Sequence, residues 1–359
     1  MTNLSDLPIR DSLKGRQPYG APQLQVPVAL NVNENTHRIP QEVALDIVER
    51  LSAAVLKINR YPDREFMALR GALADYLGHS LTAQNIWAAN GSNEVIQQIF
   101  QAFGGPNRKA MGFGPTYSMY PIIAQGQDTQ YEDADRADRY ELDVTTALAG
   151  MSANKPHITI VCSPNNPTGT PVSIEVIQAI YDATDGIVVV DEAYAEFAAD
   201  STPSALQLLP GRPRLMVSRT MSKAFAFAGA RVGYLAADPA VIDALRLVRL
   251  PYHLSSFTQA AAEAALAHSE VMLRAVAEIR IQRDRIVNEL QNMGLDAYRS
   301  DANFVLFGGL DDPADVWQKL LEEGVLLRNM GIPNTLRVSA GTELETTAFL
   351  TALQKVLHG

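Results

Sequence analysis

A lysine between hydroxyl residues and an arginine carries the strongest chemical signal in the chain. Lys223 follows an apolar run, with Thr220 and Ser222 just before it and Arg231 eight residues after it. A lysine that attacks a carbonyl needs a rigid element to hold it and surroundings that lower its pKa. Hydroxyl donors and a bidentate arginine suit a phosphate. A lone lysine in a loop is usually solvated, but this combination predicts a Schiff-base lysine beside a phosphate site.

A second signal is an aspartate at the end of a strongly apolar run. Asp191 follows the residues GIVVV at 186–190, and a carboxylate there is costly unless it has a partner. The protonated ring nitrogen of pyridoxal 5′-phosphate (PLP) is such a partner, because an aspartate beside it maintains the ring as an electron sink. Tyr194 is then placed to donate to the ring's phenolic oxygen. Strand-end aspartates also bind Mg²⁺ in nucleotide enzymes, but the sequence lacks the GxxxxGK[ST] phosphate loop of those enzymes.

Two further segments add polar groups at turns. Asn166 lies in SPNNPTGT, residues 163–170, and the proline after it biases its backbone to an extended shape, so that its amide points at a ligand. Gly91 precedes a predicted helix that begins at Ser92 and Asn93. A helix N-terminus after a glycine is a phosphate site, although Ser and Asn are also ordinary helix caps.

Two tyrosines lie in the loop GPTYSMYP, residues 114–121. The aromatic face of Tyr117 or Tyr120 is suited to stacking on a cofactor ring. For a single tyrosine, packing in the core is the more common role. Tyr117 becomes a candidate only together with the other segments.

The elements that position these residues follow from the apolar pattern. From about 86 to 237, short apolar runs alternate with amphipathic stretches, which is typical of a mostly parallel α/β sheet with ligands at the strand ends. The predicted strands are IWAAN, KAMGFG, HITIVCS, GIVVVDEAY, RLMVSRT and ARVGYLAA. The predicted helices are 41–57, 65–78, Ser92 to Phe103, 173–184, 240–249, 257–292, 314–323 and 343–357. After Pro239 the mixture of helices with NFVLFGG, GVLLRN and LRVSAG predicts a smaller α+β domain.

Composition limits the class of protein. The 359 residues carry a formal net charge of −10, which argues against a nucleic-acid-binding face. The single cysteine, Cys162, excludes an internal disulfide and a Cys-rich metal site, and we expect no metal. The N-terminus has no apolar signal core, and no apolar run is long enough for a membrane span, so we expect a cytoplasmic protein.

Taken together, the motifs resemble the fold-type-I PLP-dependent aminotransferases, and among them most closely the histidinol-phosphate aminotransferases. The resemblance extends from YGAPQ at 19–23 to LRVSAGTELE at 336–345. It implies an α/β fold in which a large PLP-binding domain, 41–245, has a mostly parallel central sheet flanked by helices. Residues 1–40 and 246–359 would form an N-terminal arm and a small α+β C-terminal domain. The implied reaction converts L-histidinol phosphate and 2-oxoglutarate into imidazole-acetol phosphate and L-glutamate.

The resemblance also assigns roles to single residues. Lys223 would bind PLP and move the proton between Cα and C4′, with Asp191 on the pyridine nitrogen. Asn166 and Tyr194 would bond the phenolic oxygen, and Tyr117 would stack on the ring. The implied phosphate ligands are Ser92, Asn93, Thr220, Ser222, Arg231 and, from the partner subunit of a homodimer, a residue equivalent to Tyr61. The implied substrate ligands are Arg337 for the carboxylate, Arg328 for the substrate phosphate, and Tyr19, Asn33 and Tyr252.

One segment departs from the family pattern. The family usually reads Asn-Glu-Asn-Pro near the arm, whereas this chain reads NENTHRIP at 33–40, with Thr36 in place of the proline. The departure concerns the substrate entrance rather than the cofactor chemistry.

Several other functions remain as alternatives. An aromatic amino-acid aminotransferase on the same scaffold would place tyrosine or phenylalanine in the imidazole site. A decarboxylase of a phosphate-bearing amino acid would release CO₂ and need no oxo acid. A non-catalytic PLP-binding regulator usually carries a DNA-binding module, and this chain has no spare segment for one. A nicotinamide-dependent dehydrogenase requires a G-x-G-x-x-G motif after a strand, which is absent from the sequence.

Overall fold

The computed structural model describes residues 3, 6–16 and 18–358, and its elements alternate along most of that length. The helices are α1 (Gln41–Val55), α2 (Met67–Leu77), α3 (Ser92–Phe103), α4 (Met119–Gly126), α5 (Val144–Asn154), α6 (Ile174–Asp182), α7 (Pro239–Val248), α8 (Ser256–Ala267), α9 (Ser269–Met272), α10 (Arg274–Asn292), α11 (Pro313–Glu322) and α12 (Glu343–His358). The strands are β1 (Val28–Ala29), β2 (Ile86–Ala89), β3 (Lys109–Gly114), β4 (Gln130–Asp135), β5 (Ile158–Cys162), β6 (Ile187–Asp191), β7 (Leu215–Thr220), β8 (Gly233–Ala237), β9 (Asp296–Ala297), β10 (Phe304–Gly308), β11 (Val325–Leu326) and β12 (Leu336–Ser339).

A seven-stranded sheet forms the centre of the molecule. Its strand order is β2-β8-β7-β6-β5-β3-β4, and β8 runs antiparallel to both of its neighbours while the remaining pairs are parallel. Strands β5 and β8 are buried along their whole length, and β6 along all but its first residue, because helices cover both faces of the sheet. The predicted mostly parallel α/β fold is therefore confirmed.

One strand of this sheet lacks the apolar run that identified the others. Strand β4 reads QYEDAD and forms the edge of the sheet, where it pairs with β3. An edge strand is solvated on its free side, so its polar composition gives no strong strand signal. The apolar pattern of the sequence therefore does not predict this strand.

The long helical stretch predicted within 257–292 is helical over nearly all of its length, with two short breaks. The structure divides it into α8, α9 and α10, with breaks at His268 and Leu273. His268 has φ −116° and places Nε2 3.1 Å from Asp46 Oδ2 on α1. This tertiary contact interrupts a helix that local propensity alone would continue.

Two smaller sheets lie outside the central one. Strands β12, β10 and β9 form an antiparallel sheet, and β1 from the N-terminal arm pairs in parallel with β11. The arm therefore joins the C-terminal part of the chain, while the division into domains at 245 stays a prediction. Within the described residues, no helix is both long and apolar enough to span a bilayer.

Candidate active site

A cavity lies at the carboxyl ends of the parallel strands, where β5, β6 and β7 end at Cys162, Asp191 and Thr220. Crevices at this end of an open parallel sheet are the usual ligand sites of α/β folds. Most of the predicted site residues meet there. Those that line the cavity are Tyr19, Asn33, Ser92, Asn93, Tyr117, Asn166, Asp191, Tyr194, Thr220, Ser222, Lys223, Arg231, Arg328 and Arg337.

One end of the cavity is a cradle for an anion. Arg231 Nη1 donates to Ser222 Oγ at 3.3 Å, and Thr220 Oγ1 donates to the same oxygen at 3.0 Å. Gly91 precedes α3 with φ +88°, and a Cβ there would overlap the Arg231 guanidinium. The glycine thus lets the cation approach the N-terminal amides of α3. Helix amides and a guanidinium together fit a phosphate group.

Asp191 is fixed by two hydroxyl groups. Tyr120 Oη donates to Oδ2 at 2.7 Å, and Ser218 Oγ donates to Oδ1 at 3.0 Å. Burial raises the pKa of the Asp191 carboxyl, whereas the hydrogen bonds from Tyr120 and Ser218 lower it. Asp191 is only 2% exposed, so its charge calls for a cationic partner in the cavity, and a protonated pyridine nitrogen fits.

Tyr194 is oriented as a hydrogen-bond donor toward the cavity. Its oxygen accepts from Asn33 Nδ2 at 3.0 Å and from Asn166 Nδ2 at 3.4 Å. Because a phenolic oxygen has two acceptor sites, its own proton remains for a ligand atom. The phenolic oxygen of PLP suits this proton. Asn33 thus contacts Tyr194 in addition to lining the cavity.

Lys223 is held in the cavity by the N-terminal arm. Its Nζ donates to the Val32 carbonyl at 3.0 Å. Burial, with the charges of Arg337 and Arg231, lowers the pKa of Lys223 to about 8, while Glu34 acts in the opposite direction. The neutral amine is therefore far more abundant near physiological pH than it is for an ordinary lysine, as a carbonyl-binding lysine requires.

Two further arginines, Arg328 and Arg337, line the cavity. Arg337 is 4% exposed and donates from Nη1 to Asn166 Oδ1 at 2.5 Å and from Nη2 to the Asn31 carbonyl at 2.9 Å. Its buried Nε has no hydrogen-bond partner among the described residues, so it remains for an incoming anion. Burial, with the nearby charge of Arg328, lowers the pKa of Arg337 to about 10. The backbones of the two arginines pair directly, and the Arg328 guanidinium lies 5.9 Å from the Tyr19 ring centroid.

Two predicted site residues lie outside this cavity. Tyr61 is 79% exposed and stacks on Tyr252, with ring centroids 4.5 Å apart. Tyr252 is not among the residues that line the cavity, and its assignment to the substrate stays a prediction. The assignment of Tyr61 to a partner's cofactor stays a prediction.

The arm forms its turn without the proline of the family pattern. Asn35 Oδ1 accepts from the His37 amide at 3.0 Å, which is the side-chain turn that Asn favours. Asn35 Nδ2 donates to the Ala224 carbonyl at 3.1 Å, next to Lys223. The side chain of Asn35 thus stabilises the turn that a proline at position 36 would otherwise restrict. Its second hydrogen bond connects the arm to the loop that carries Lys223.

Two residues that contact Asp191 are not predicted from the sequence to do so. Both are fully buried: the sequence favours Tyr120 as a stacking or core residue, and no motif marks Ser218. The spacing of Tyr117 and Tyr120, three residues apart across a helix start, was the available signal. No group of three or more potential metal ligands occurs among the residues described.

A cavity lysine of lowered pKa and a buried aspartate that calls for a cationic partner lie beside a phosphate cradle, and this combination fits a PLP enzyme. The family model for "Aminotransferase class I and II" matches residues 26–353. The chain belongs to this family, and it is a PLP-dependent aminotransferase.

Known proteins resemble the chain over nearly its whole length. A histidinol-phosphate aminotransferase of Paenarthrobacter aurescens is 61% identical, covering 100% of this chain and 97% of the relative. One from Thermobifida fusca is 53% identical, covering 98% and 96%. The crystal structure of the Sinorhizobium meliloti histidinol-phosphate aminotransferase with pyridoxal-5′-phosphate has a TM-score of 0.89 at 24% identity, over 99% of each chain, and so supports the fold.

Proposed function

We propose that this enzyme transfers the amino group of L-histidinol phosphate to 2-oxoglutarate in histidine biosynthesis, giving imidazole-acetol phosphate and L-glutamate. The observation that carries the proposal is that Arg328 and Arg337 line the cavity in addition to the phosphate cradle of Arg231. One substrate carries a phosphate and the other carries carboxylates, so a pocket that takes them in turn needs anion-binding groups at two positions. The names of relatives that are 53–61% identical support the same substrate.

The described residues divide the work of the reaction. Bound PLP supplies an electrophilic aldehyde and a ring that withdraws electrons from the substrate Cα. Lys223 would hold the cofactor until the substrate amine displaces it, and the freed lysine amine would then take the proton from Cα and deliver it to C4′. Asp191 would stabilise the positive ring nitrogen, and Tyr194 would donate to the phenolic oxygen. Because donor and acceptor use one cavity, the two half-reactions follow each other in a ping-pong order.

An absorbance titration tests the substrate. The PLP-loaded enzyme is mixed with L-histidinol phosphate or with L-phenylalanine, in the absence of any oxo acid. We expect the band of the lysine-bound cofactor to disappear at low histidinol phosphate and only at large excess of phenylalanine. Equal or better conversion by phenylalanine would contradict the proposal and favour the aromatic aminotransferase.

A matched pair of variants tests the role of Arg328. Arg328→Ala should lose most of its rate with histidinol phosphate, because the other two cavity arginines, Arg231 and Arg337, are assigned to the cofactor phosphate and the carboxylate. Arg108→Ala is the control, since Arg108 precedes β3 at the opposite end of the sheet and is exposed. Equal rates in the two variants would exclude Arg328 from substrate binding.

We further propose that the enzyme is a cytoplasmic homodimer with shared active sites. Large apolar side chains are exposed on α1 and near the end of α7, among them Leu45, Val48 and Leu247. The exposed Tyr61–Tyr252 stack lies outside its own cavity, which suits a residue that reaches the partner's cofactor phosphate. A symmetric dimer would bury these groups.

Hybrid dimers test this arrangement. Lys223→Ala and Tyr61→Ala are each expected to be weakly active or inactive alone. If Tyr61 acts across the interface, a hybrid of the two variants contains one intact site and regains activity. A hybrid with no more activity than its parents would mean that Tyr61 does not act in the partner's site.

A further inference from the structure

Tyr120 does not line the cavity but contacts two residues that do. It lies in the first turn of α4 and is fully buried. Its hydroxyl donates to Asp191 Oδ2 at 2.7 Å. Its ring meets the Tyr117 ring edge-on, with centroids 5.4 Å apart and planes at 86°. One side chain therefore contacts both the acid assigned to the ring nitrogen and the aromatic ring assigned to stacking.

The second oxygen of Asp191 also has a hydroxyl donor. Ser218 is fully buried on β7, in register with Asp191 on β6, and its Oγ donates to Oδ1 at 3.0 Å. A carboxylate has about four lone-pair sites, so one bond to each oxygen leaves acceptors for a ligand N–H. The two hydroxyl groups restrain the plane of the carboxylate without occupying it fully.

Without these donors, Asp191 would be a poor partner for a cationic ring. A carboxyl group this deeply buried tends to take up a proton, because charge is costly in a low dielectric. Burial raises the pKa of Asp191, and the bonds from Tyr120 and Ser218 act against that rise. A protonated, neutral Asp191 would not hold the positive charge on the ring nitrogen.

Core packing alone does not account for the Tyr120 hydroxyl. A phenylalanine would fill nearly the same volume, whereas a buried hydroxyl without a partner costs free energy. Its hydrogen-bond acceptor is the Asp191 carboxylate. We propose that Tyr120, assisted by Ser218, is a positioning residue that holds Asp191 ionised and directed at the ring nitrogen of the cofactor. This inference rests on the assignment of Asp191 to that nitrogen and is independent of the amino donor.

The test compares Tyr120→Phe with Asp191→Asn and the unchanged enzyme. The apoenzyme of Tyr120→Phe should bind PLP about tenfold to a hundredfold more weakly, as expected for loss of a hydrogen bond to a charged group. The pH midpoint of the absorbance change of the lysine-bound cofactor should move upward, toward that of Asp191→Asn. The reason is that a ring nitrogen without a proton withdraws less charge from the linkage to Lys223.

A half-buried tyrosine that also donates to an aspartate provides a control. Tyr131 Oη donates to Asp133 Oδ1 at 2.8 Å on the edge strand β4, away from the cavity. Tyr131→Phe removes the same kind of bond and should lower the melting temperature without changing PLP affinity or the pH midpoint. A shift of that midpoint in Tyr120→Phe but not in Tyr131→Phe separates positioning from a general loss of stability.

Ser218→Ala provides a second measurement if Tyr120→Phe does not fold. We expect its PLP affinity and pH midpoint to shift in the same direction by a smaller amount, because its bond is longer. The proposal is overturned if the hydroxyl variants match the unchanged enzyme in both measurements while Asp191→Asn does not. It also fails if Asp191→Asn itself has no effect, and in that case the assignment of Asp191 fails with it, while the amino-donor proposal stands.

Discussion

At the scale of single residues, burial and neighbouring charges shift the pKa values of the ionisable groups in and near the cavity. Lys223 shares the cavity with Arg337 and Arg231, so the charges of these arginines add to the effect of burial on its pKa. For Arg219, the neighbouring charges act against burial instead of adding to it. Burial lowers the pKa of Arg219, but Glu192 and Glu196 outweigh burial and raise it above its usual range. The same physical effects thus yield one reactive amine and one permanent cation.

The lowered pKa of Lys223 has a direct kinetic consequence. The apoenzyme should capture PLP with a rate that rises with pH around a midpoint near 8, because only the neutral amine attacks the aldehyde. Stopped-flow absorbance measures this rate, with N-acetyl-lysine as the reference that corrects for the titration of PLP itself. A rate that keeps rising up to the ordinary lysine pKa of 10.5 would contradict the prediction.

The buried ion pair next to the site should matter for stability. Arg219 Nη2 lies 2.8 Å from Glu192 Oε2, with side chains 12% and 5% exposed, and it links the ends of β6 and β7. Glu192→Gln should lower the free energy of unfolding by about 3–5 kcal/mol, because it leaves a buried cation short of its main partner. Asp296→Asn is the control, since it breaks a pair with Arg139 in which both side chains are about half exposed, and it should cost less than about 1 kcal/mol. Chemical denaturation distinguishes the two values, and equal costs would refute the argument.

At the scale of elements, strand ends and helix starts deliver the functional groups. Strands β5, β6 and β7 end side by side, so residues far apart in sequence meet at one edge of the sheet. Helix α3 begins at that edge, and Gly91 allows Arg231 to lie against its first turn. The anion site therefore depends on the close approach between the first turn of α3 and the loop that carries Arg231.

This approach predicts opposite outcomes for two glycine substitutions. Gly91→Ala introduces a Cβ at positive φ that overlaps Arg231, so the affinity for PLP should fall by about tenfold or more. Gly71→Ala lies within α2, where a Cβ meets no atom within 4 Å, and it should raise the free energy of unfolding by about 0.5–1 kcal/mol without affecting PLP. Fluorescence titration with PLP and denaturant unfolding check both variants. Unchanged PLP affinity in Gly91→Ala would contradict the assignment of this cradle to the cofactor phosphate.

At the scale of the whole molecule, the cavity joins distant parts of the chain. Its walls come from the arm at Asn31 and Asn33, from the central sheet, and from Arg337 on β12. Arg337 donates to the Asn31 carbonyl, and Ser339 Oγ donates to Asn33 Oδ1 at 3.1 Å. Ligand binding at Arg337 should therefore stabilise the chain as a whole.

A non-reactive dicarboxylate should reveal this linkage. Maleate added to the PLP-loaded enzyme should raise the melting temperature, and at 100 times its Kd the stabilisation is about 2.7 kcal/mol. Arg337→Lys should lose most of this effect, since lysine has no planar fork for a carboxylate. Sodium chloride at equal ionic strength is the control, and an equal shift with that salt would mean that no specific site is involved.

Much of the site was determined by the sequence alone. Apolar runs followed by Asp191, Asn166 and Lys223 predicted strand ends carrying polar groups, and the sequence also predicted helix α3 with its actual bounds. These features are local. A strand buried on both faces is recognised by a continuous run of apolar residues, and the start of a helix by the glycine directly before it. The match of the motifs to a known family extended this prediction to the cofactor.

The tertiary structure decided what depends on residues distant in sequence. The bonds from Tyr120 and Ser218 to Asp191 span 71 and 27 positions, and those from Asn33 to Tyr194 span 161. The edge strand β4, the break at His268 and the stacking of Tyr252 on Tyr61 likewise depend on neighbours that local patterns do not contain. Local periodicity reports which face of an element is buried, but only the folded chain determines which polar atoms meet there.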